Sequence, residues 1–572
     1  MKIKRFIKQV FTMAIGFLIS LLLLSFIIVF GFLKLTSKSS KSVENNSVVV
    51  FSMEGRVVEW MPISLFGSNK GMIDFKVVKK AIHQATKDNR IAAIYLDLSY
   101  LDVGLAALEE IREALLAFKK QGKTIIAYAD HYTQKAYYLA SLADEIILNP
   151  SGFLEFRGLS ATFSFYTKLF ENISIKPIIF RIGACKDAVE PFCLTKMSEE
   201  SRNQTKAYLQ SFYDHLLTKI SVSRDIKVAA LKEYANNLSA VLPNDALSAH
   251  LITKIGYKTD AKKLLQEKLK SPSWISYRSY SASEAPPNLV DNIAVLIAEG
   301  EIVNGSIRAG YVGAYDFVKI LKTIQEDSNI KALVLRINSP GGDVCASDII
   351  WKAIEEFKAI KPVVASMSNV AASGGYYIAA PCHYIFAQPT TITGSIGIFG
   401  ILFDIDGLMH KIGINSDVVK TASSADFLHP RVSCSELESK FMYKMLEGNY
   451  NDFLRKVSNG RRLDLVAVEK LAGGRVYTGS VALNNGLVDE LGGLEAAIAK
   501  AADLAKVTSK YGIRYFPRRK RRLEQLLYYT TDGVKVELLE SLVQEYPILN
   551  HYQILSRPYG VQAMLPYTIH ID

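Results

Sequence analysis

Short, largely apolar runs alternate with amphipathic stretches along most of the chain. Ala332–Ile337, Pro362–Met367 and His383–Ala387 have the length and composition of buried strands. Between the first two, Ile349, Ile350, Ala353, Ile354 and Phe357 recur at the i, i+3/i+4 spacing of a helix packed on one side. Between the second and third, Ser373–Ala380 opens on glycines and small residues and predicts one short helix. This strand–helix–strand–helix order predicts an α/β fold with right-handed crossovers. Helices on both faces of a parallel sheet allow its strands to be apolar throughout.

Val10–Leu33 has a different pattern, twenty-four consecutive positions without a charge. At 1.5 Å per residue the run makes about 36 Å of helix, enough to cross a hydrocarbon core of ~30 Å with some tilt. It exceeds the apolar part of a cleavable signal peptide and leads into Lys34-Leu-Thr-Ser-Lys38 without an Ala-x-Ala site. Lys2, Lys4, Arg5 and Lys8 precede it, so the positive-inside bias places the N-terminus in the cytoplasm. The expectation is a single-pass anchor with the remaining chain as an ectodomain.

The ectodomain repeats itself. Val48–Val58 reads like Ile293–Val303, and Ile91–Leu98 like Ile330–Ile337. From there an offset of 239 persists, pairing Ile111 with Ile350, Ala114 with Ala353, Phe118 with Phe357 and Tyr137-Tyr138 with Tyr376-Tyr377. This period is far longer than that of a solenoid and reads as a duplication. The chain then divides into a basic N-terminus (1–9), an anchor (10–33) and a linker (34–46). A first repeat (47–270), a Ser/Pro-containing linker (271–290), a second repeat (291–505) and a basic extension (506–572) follow.

Composition adds little beyond this division. Of 572 residues 49% are hydrophobic and 22% charged, which excludes a disordered or disulfide-stapled chain. Lys and Arg number 68 against 56 Asp and Glu, a net +12. The excess is mild over this length, and no zinc-finger spacing, recognition signature or long basic stripe points to nucleic acid. Pro517-Arg-Arg-Lys-Arg-Arg522 reads as a solvated charged face or as a rim toward anionic lipid. A mean hydropathy of +0.13 is partly explained by the N-terminal run. The five cysteines, Cys185, Cys193, Cys345, Cys382 and Cys434, fit neither a zinc site nor a disulfide framework. They read as small buried side chains, with a Cys185–Cys193 pair as the alternative in an oxidising compartment.

Candidate chemistry lies in two glycine motifs of the second repeat. Asn338-Ser-Pro-Gly-Gly-Asp343 follows one strand, where converging N–H groups suit an oxyanion hole or an ordinary turn. Ala371-Ala-Ser-Gly-Gly-Tyr376 follows another, where Ser373 is either an exposed nucleophile or a helix N-cap. The duplication provides an internal control. At offset 239, Ser373 faces Gln134, Gly374 faces Lys135, Gly341 faces Asp102 and Gly342 faces Val103. Residues needed for folding alone would be needed in both copies. A base is needed as well, and His383, at the start of an apolar strand, reads as a packed residue. Lys186, within Arg181–Phe192 of the first repeat, corresponds to Ala425. Each half thus retains what the other lacks, the pattern of one composite site between them. As a base Lys186 must be neutral, so burial must lower its pKa by roughly three pH units from ~10.4, at a cost of about 4 kcal/mol. The alternative is an exposed Lys186 paired with Asp187 or Glu190.

These residues resemble the signal peptide peptidase A family, the membrane-bound protease IV, in its long duplicated form. The resemblance rests on the Glu-Gly-x-Ile/Val starts, Asn338–Gly342, Ser366–Tyr377, Thr393-Gly-Ser-Ile-Gly-Ile-Phe-Gly400 and Lys186–Phe192. Gly474-Arg-Val-Tyr-Thr-Gly479 and Gly486–Gly493 extend it. It implies tandem Clp-protease/crotonase-like domains, assembly as a bowl-shaped homotetramer, and endoproteolysis of released signal peptides in the periplasm at the inner membrane. It further implies Ser373 as nucleophile, Lys186 as general base, Ser395 as a hydrogen-bond partner of the lysine amine, and Gly374 and Gly342 as oxyanion donors. Asp343, Asn369 and Cys185 depart from the family pattern. No P-loop or metal-ligand spacing is present, so no cofactor or metal is expected. A crotonase-like acyl-CoA enzyme and a catalytically silent peptide-holding scaffold are the alternatives.

Overall fold

A computed structural model describes residues 43–61, 71–283, 292–430, 434–507, 510–518 and 562–564, with helical positions 13, 15–17, 19–20, 23–24 and 26. Those positions are exposed, and among the described residues no helix is long and apolar enough to cross a membrane. Most of the Val10–Leu33 run, and Arg519–Arg522 of the basic cluster, lie outside the described residues.

Each half is built on a largely parallel sheet whose strands are buried between helices. In the first half the order is Ser273–Ser276, Ser47–Ser52, Ile91–Asp97, Thr124–Ala129, Glu145–Leu148 and Lys254–Ile255. In the second it is Val476–Thr478, Ile392–Gly394, Val363–Ala372, Ile330–Ser339, Asn292–Glu299 and Gly512–Phe516. The helices fold for local reasons. Asp74 caps Phe75–Lys87 by accepting from the Lys76 N–H, and Val78, Ala81, Ile82 and Ala85 form its buried face. The duplication is also visible in two 26-residue helices, Glu199–Arg224 and Glu436–Arg461. Both are capped by serine, Ser198 and Ser435, and both end on a left-handed residue, Asp225 and Arg462.

Two boundaries differ from the sequence reading. Ser271–Val290 was expected to be a linker, yet Ser273–Ser276 pairs with Ser47–Val50 and Tyr277–Ala282 is a helix. Ile275, Tyr277 and Tyr280 are buried there, and this apolar content outweighs the Ser/Pro composition. Likewise Gly512–Phe516, assigned to the extension, pairs with Asn292–Leu296 of the second sheet. The five cysteines are all free, and only Cys382 is buried. The buried reading therefore holds for Cys382 alone, and the Cys185–Cys193 pair is not formed.

A third sheet joins the halves. Its order is Tyr311–Gly313, Glu301–Val303, Gly341–Asp343, Gln562–Met564, Ile398–Asp404 and Lys176–Ile182. The last two strands come from different halves and run antiparallel, with Ile182 opposite Ile398 and Lys176 opposite Asp404. The halves are also joined by a buried charge cluster. Arg336 of the second half is wholly buried and meets Glu110 at 2.7 Å and Glu59 at 2.6 Å, both from the first half. Ser366 at 2.9 Å and Ser368 at 3.2 Å accept from the same guanidinium. Glu110 also accepts from the Leu494 N–H at 2.9 Å, and Lys79 pairs with Glu495. The Glu299 carboxylate accepts from the Glu59 and Trp60 N–H groups. Asn369, one of the departures, accepts from the Ala107 N–H and stands against Gly104, where any Cβ would collide with it.

A buried ion pair that loses one partner leaves the other charge uncompensated. Glu110→Ala is therefore expected to lower unfolding free energy by about 3–5 kcal/mol in urea titration. Removing the exposed Lys168–Glu171 pair is expected to cost less than about 0.5 kcal/mol. Equal small effects from both would show that Arg336 does not hold the halves together.

Candidate active site

The register of two strands brings the two serines side by side. Ala372 lies opposite Gly394 in the pairing of Val363–Ala372 with Ile392–Gly394, so Ser373 and Ser395 leave neighbouring strand ends together. Ser373 has φ 54° and ψ −115°, a conformation costing a residue with a Cβ about 1–3 kcal/mol. Its N–H donates to the Gly394 carbonyl at 2.8 Å, and its own carbonyl accepts from the Tyr377 N–H at 2.8 Å. These bonds fix the turn into the helix Gly374–Ala379. The Ser373 side chain does not cap that helix, which excludes the N-cap alternative. Ser395 also has positive φ, 50°, and its N–H donates to the Arg475 carbonyl at 2.6 Å.

Lys186 arrives from the other half. The antiparallel pair Lys176–Ile182 and Ile398–Asp404 starts three residues after Ser395 and ends four residues before Lys186. Its Nζ lies 2.8 Å from Ser373 Oγ, 2.9 Å from Ser395 Oγ and 3.1 Å from the Ser395 carbonyl oxygen. The Phe399 ring lies beneath it, 5.9 Å from centroid to Nζ. Lys186, Ser373 and Ser395 are all 1% exposed or less. Burial pushes the lysine pKa down to about 7, opposed by the adjacent Asp187 carboxylate. Asp187 is itself buried and accepts from Ser201 Oγ at 3.1 Å, while Glu190 accepts from the Ser198 N–H and hydroxyl. The exposed, salt-bridged alternative for Lys186 is thus not formed.

Gly374 is the first residue of the short helix, where N–H groups have no intrahelical acceptor. Gly342 lies in the strand Gly341–Asp343, opposite Ile302. A Cβ there would fall 1.9 Å from the Ile302 carbonyl oxygen, so only glycine fits. Asp343, another departure, caps the helix Val344–Lys358 by accepting from the Ala346 N–H at 2.7 Å. His383 is away from this group and accepts from the Val363 N–H through Nδ1. Among the described residues no His/Cys/Asp/Glu group has a metal-site arrangement.

The sequence reading assigned no role to the glycine turn that seats the lysine. A Cβ at Gly474 would lie 2.5 Å from Lys186 N, and one at Gly183 would lie 2.5 Å from the Gly473 carbonyl carbon. The Cys185 N–H donates to Gly473 O at 2.9 Å, and the Gly474 N–H to Ile396 O at 2.8 Å. The signal was present, since Gly474 opens one of the motifs that carry the resemblance, but its partner lies nearly 300 positions away.

Two segments, residues 117–271 and 355–508, match the family model Peptidase family S49, and residues 288–391 match Clp protease. Protease 4 of Haemophilus influenzae is 36% identical over 455 residues, covering 76% of this chain and 74% of that protein. Protease 4 of Salmonella typhi is 32% identical over 505 residues, 84% of this chain and 81% of that one. The chloroplastic serine protease SPPA of Arabidopsis thaliana is 32% identical over 480 residues, 81% and 70% respectively.

Gly474→Ala is expected to displace the Lys186 loop while leaving the two sheets intact. Peptide hydrolysis is expected to fall at least about 100-fold, mostly in kcat, because small misplacements of a reacting group are this costly. The check is steady-state kinetics beside an unchanged far-UV circular dichroism spectrum; wild-type kcat would show that the turn does not position the lysine.

Proposed function

The chain belongs to peptidase family S49 and is a serine endopeptidase, and we propose that it works through a Ser373–Lys186 dyad on released signal peptides and other short apolar peptides. The observation that carries this reading is a buried amine 2.8 Å from a serine hydroxyl, with a pKa lowered to about 7. At that value about half of the amine is neutral at pH 7 and able to accept a proton.

Ser373 Oγ attacks the scissile carbonyl carbon as Lys186 takes its proton. The N–H groups of Gly374 and Gly342 hold the oxyanion, a kind of contact worth roughly 3–4 kcal/mol per donor. The tetrahedral species collapses, the C–N bond breaks, and Lys186 returns the proton to the leaving amine. Water activated by the same lysine then attacks the ester, releasing the acid and Ser373. Ser395 orients the amine through its hydroxyl and carbonyl. A crotonase-like reaction needs no such dyad, and a silent scaffold has no use for a lowered lysine pKa.

The uncharged run Val10–Leu33 behind four cations supports an inner-membrane anchor with a periplasmic catalytic domain. The duplication supports assembly as a homotetramer. Lys176–Ile182 pairs within the chain with Ile398–Asp404. At offset 239 the corresponding segments are 415–421 and 159–165, and neither forms a strand. Residues 412–420 are exposed, Val419 by 97%. Pairing 415–421 of one chain with 159–165 of the next repeats the internal join between chains, and a heterologous contact of that kind makes a ring when its rotation closes.

Ser373→Ala and Lys186→Ala are each expected to lower kcat/KM by about 1,000-fold or more. Lys186→Arg is expected to be equally inactive, because a guanidinium does not lose its proton. Wild-type kcat/KM is expected to rise about tenfold per pH unit below pH 7 and to level off above it, as the amine becomes neutral. A profile flat from pH 5 to 9 with chemistry rate-limiting, or an acylating probe that labels a serine other than Ser373, contradicts the dyad. Val419→Asp is expected to reduce the assembly to single chains in analytical ultracentrifugation; an unchanged mass would exclude residues 415–421 from the contact.

A further inference from the structure

The residue after the lysine is a carboxylic acid. Asp187 opens the single turn Asp187–Val189 and is 4% exposed. Its side chain reaches the long helix Glu199–Arg224, where Ser201 Oγ donates to it at 3.1 Å and Gln204 Nε2 at 3.5 Å. Gln204 Oε1 in turn accepts from the Val476 N–H at 2.9 Å. Val476 stands opposite Gly394, and the carbonyl of the preceding Arg475 accepts from the Ser395 N–H at 2.6 Å. One run of contacts thus passes from the neighbour of the lysine, through a helix of the first half, to the backbone that seats Ser395.

The duplication again separates folding from chemistry. Ser201, Gln204, Thr205 and Tyr208 follow the i, i+3/i+4, i+7 spacing and share one face of their helix. When the two 26-residue helices are aligned by their capping serines, Ser198 and Ser435, the last three correspond to Phe441, Met442 and Met445. The acid itself recurs at offset 239 as Asp426, where it pairs with Lys420 at 2.5 Å. Most of the polar face that receives Asp187 is therefore apolar in the half without the lysine.

A carboxylate beside an amine opposes the loss of its proton. A base that had only to be neutral would exclude one, as the buried cluster Ala188, Val189 and Phe399 excludes water. The reaction also needs the opposite state. While the tetrahedral species exists, Lys186 Nζ holds the Ser373 proton, and an ammonium must be tolerated in a dry site. Ser373 and Ser395 offer it hydroxyls and Phe399 a ring face. Tyr208 faces Asp187 from the helix, but burial pushes its hydroxyl up to about 12, so it stays neutral. Glu190 is engaged by Ser198, the Cys193 thiol donates to the Val189 carbonyl, and Tyr477, beside Cys185, donates to the Leu471 carbonyl. Arg181 and Arg475 are exposed. Among the described residues, Asp187 is the charge placed to balance the ammonium.

We propose that Asp187, clamped by Ser201 and Gln204, is a positioning residue that holds the protonated Lys186 against the two serines until its proton passes to the leaving amine. This rests on the dyad read above. Asp187 takes no proton itself. The Ser373 O–H bond breaks and Nζ gains the proton; Nζ then returns it as the scissile C–N bond breaks. The carboxylate keeps its charge throughout, and Gln204 carries the same constraint to the backbone of Ser395.

The test follows the pH dependence of acylation. Full-length protein is treated with a serine-directed acylating probe, and the rate of Ser373 labelling is measured from about pH 5 to 9 beside peptide kinetics. Asp187→Asn keeps the shape and an acceptor for Ser201 but removes the charge. Its inflection is expected at least about half a pH unit below that of wild type, with plateau kcat lowered about tenfold and KM unchanged. On the acid side that shift raises the rate, relative to the plateau, about threefold. Asp187→Ser keeps a hydroxyl acceptor and is expected to shift the same way. Ser201→Ala loosens the carboxylate and leaves its charge, so kcat is expected to fall about threefold without a downward shift. A wild-type inflection in both neutral variants, or an equal downward shift in Ser201→Ala, overturns the proposal and leaves the dyad standing. Wild-type labelling that does not vary with pH rejects the dyad, and the proposal with it.

Discussion

Everything at this site depends on keeping one amine out of water, with burial outweighing the pull of the adjacent Asp187 carboxylate. A lysine with a pKa near 7 exists only where its charged form is poorly solvated, and Lys186 reaches that condition between two halves of the chain. Arg336 shows the contrasting arrangement at the same junction. It is as buried as Lys186 but is held by Glu59 and Glu110. One buried cation is compensated and joins the halves; the other is left with hydroxyl and carbonyl partners and loses its charge near pH 7. Both sit where residues of the two halves meet. Backbone contact at Gly183, Gly473 and Gly474 closes the same space from the other side.

Duplication accounts for why one site is assembled rather than two. The first half keeps the frame, including Tyr137 and Tyr138 buried like Tyr376 and Tyr377. Where the second half has Ser373, it has Gln134, whose side-chain oxygen accepts from the Arg157 and Gly158 N–H groups. That position now anchors a loop. The short sheet Met72–Asp74, Gly55–Val58, Leu101–Asp102 likewise repeats Tyr311–Gly313, Glu301–Val303, Gly341–Asp343, with the two glycines gone. Freed from chemistry in one half, each position took on packing or hydrogen bonding.

This history also explains what was legible in the sequence. Ser373 and Lys186 stood out because each is missing from the other copy, a comparison that needs only one chain. The two main sheets were legible because their strands are long apolar runs between amphipathic helices. The third sheet was not, since most of its strands are three residues long and they come from distant parts of both halves. Such strands have too little length for a period to appear. Arg336 was hidden for a related reason: a cation within Ala332–Ile337 reads as an interruption until Glu59 and Glu110 stand beside it. Asn369 and Asp343 stood out only as departures from the family pattern, but one joins the halves and the other caps a helix.

The strand edges beside the site bear on what the enzyme accepts. A slot between two strand edges admits a single extended backbone, and ladder hydrogen bonds do not depend on side-chain identity. A folded protein satisfies its own backbone and rarely offers an unpaired strand long enough to enter. The preference for short unfolded peptides proposed above agrees with such backbone geometry. Such a groove is controlled by concentration and by where it is tethered more than by fit. The anchor proposed for Val10–Leu33 has a physical role in this reading: apolar peptides concentrate at a bilayer, and an enzyme held there meets them at a raised local concentration.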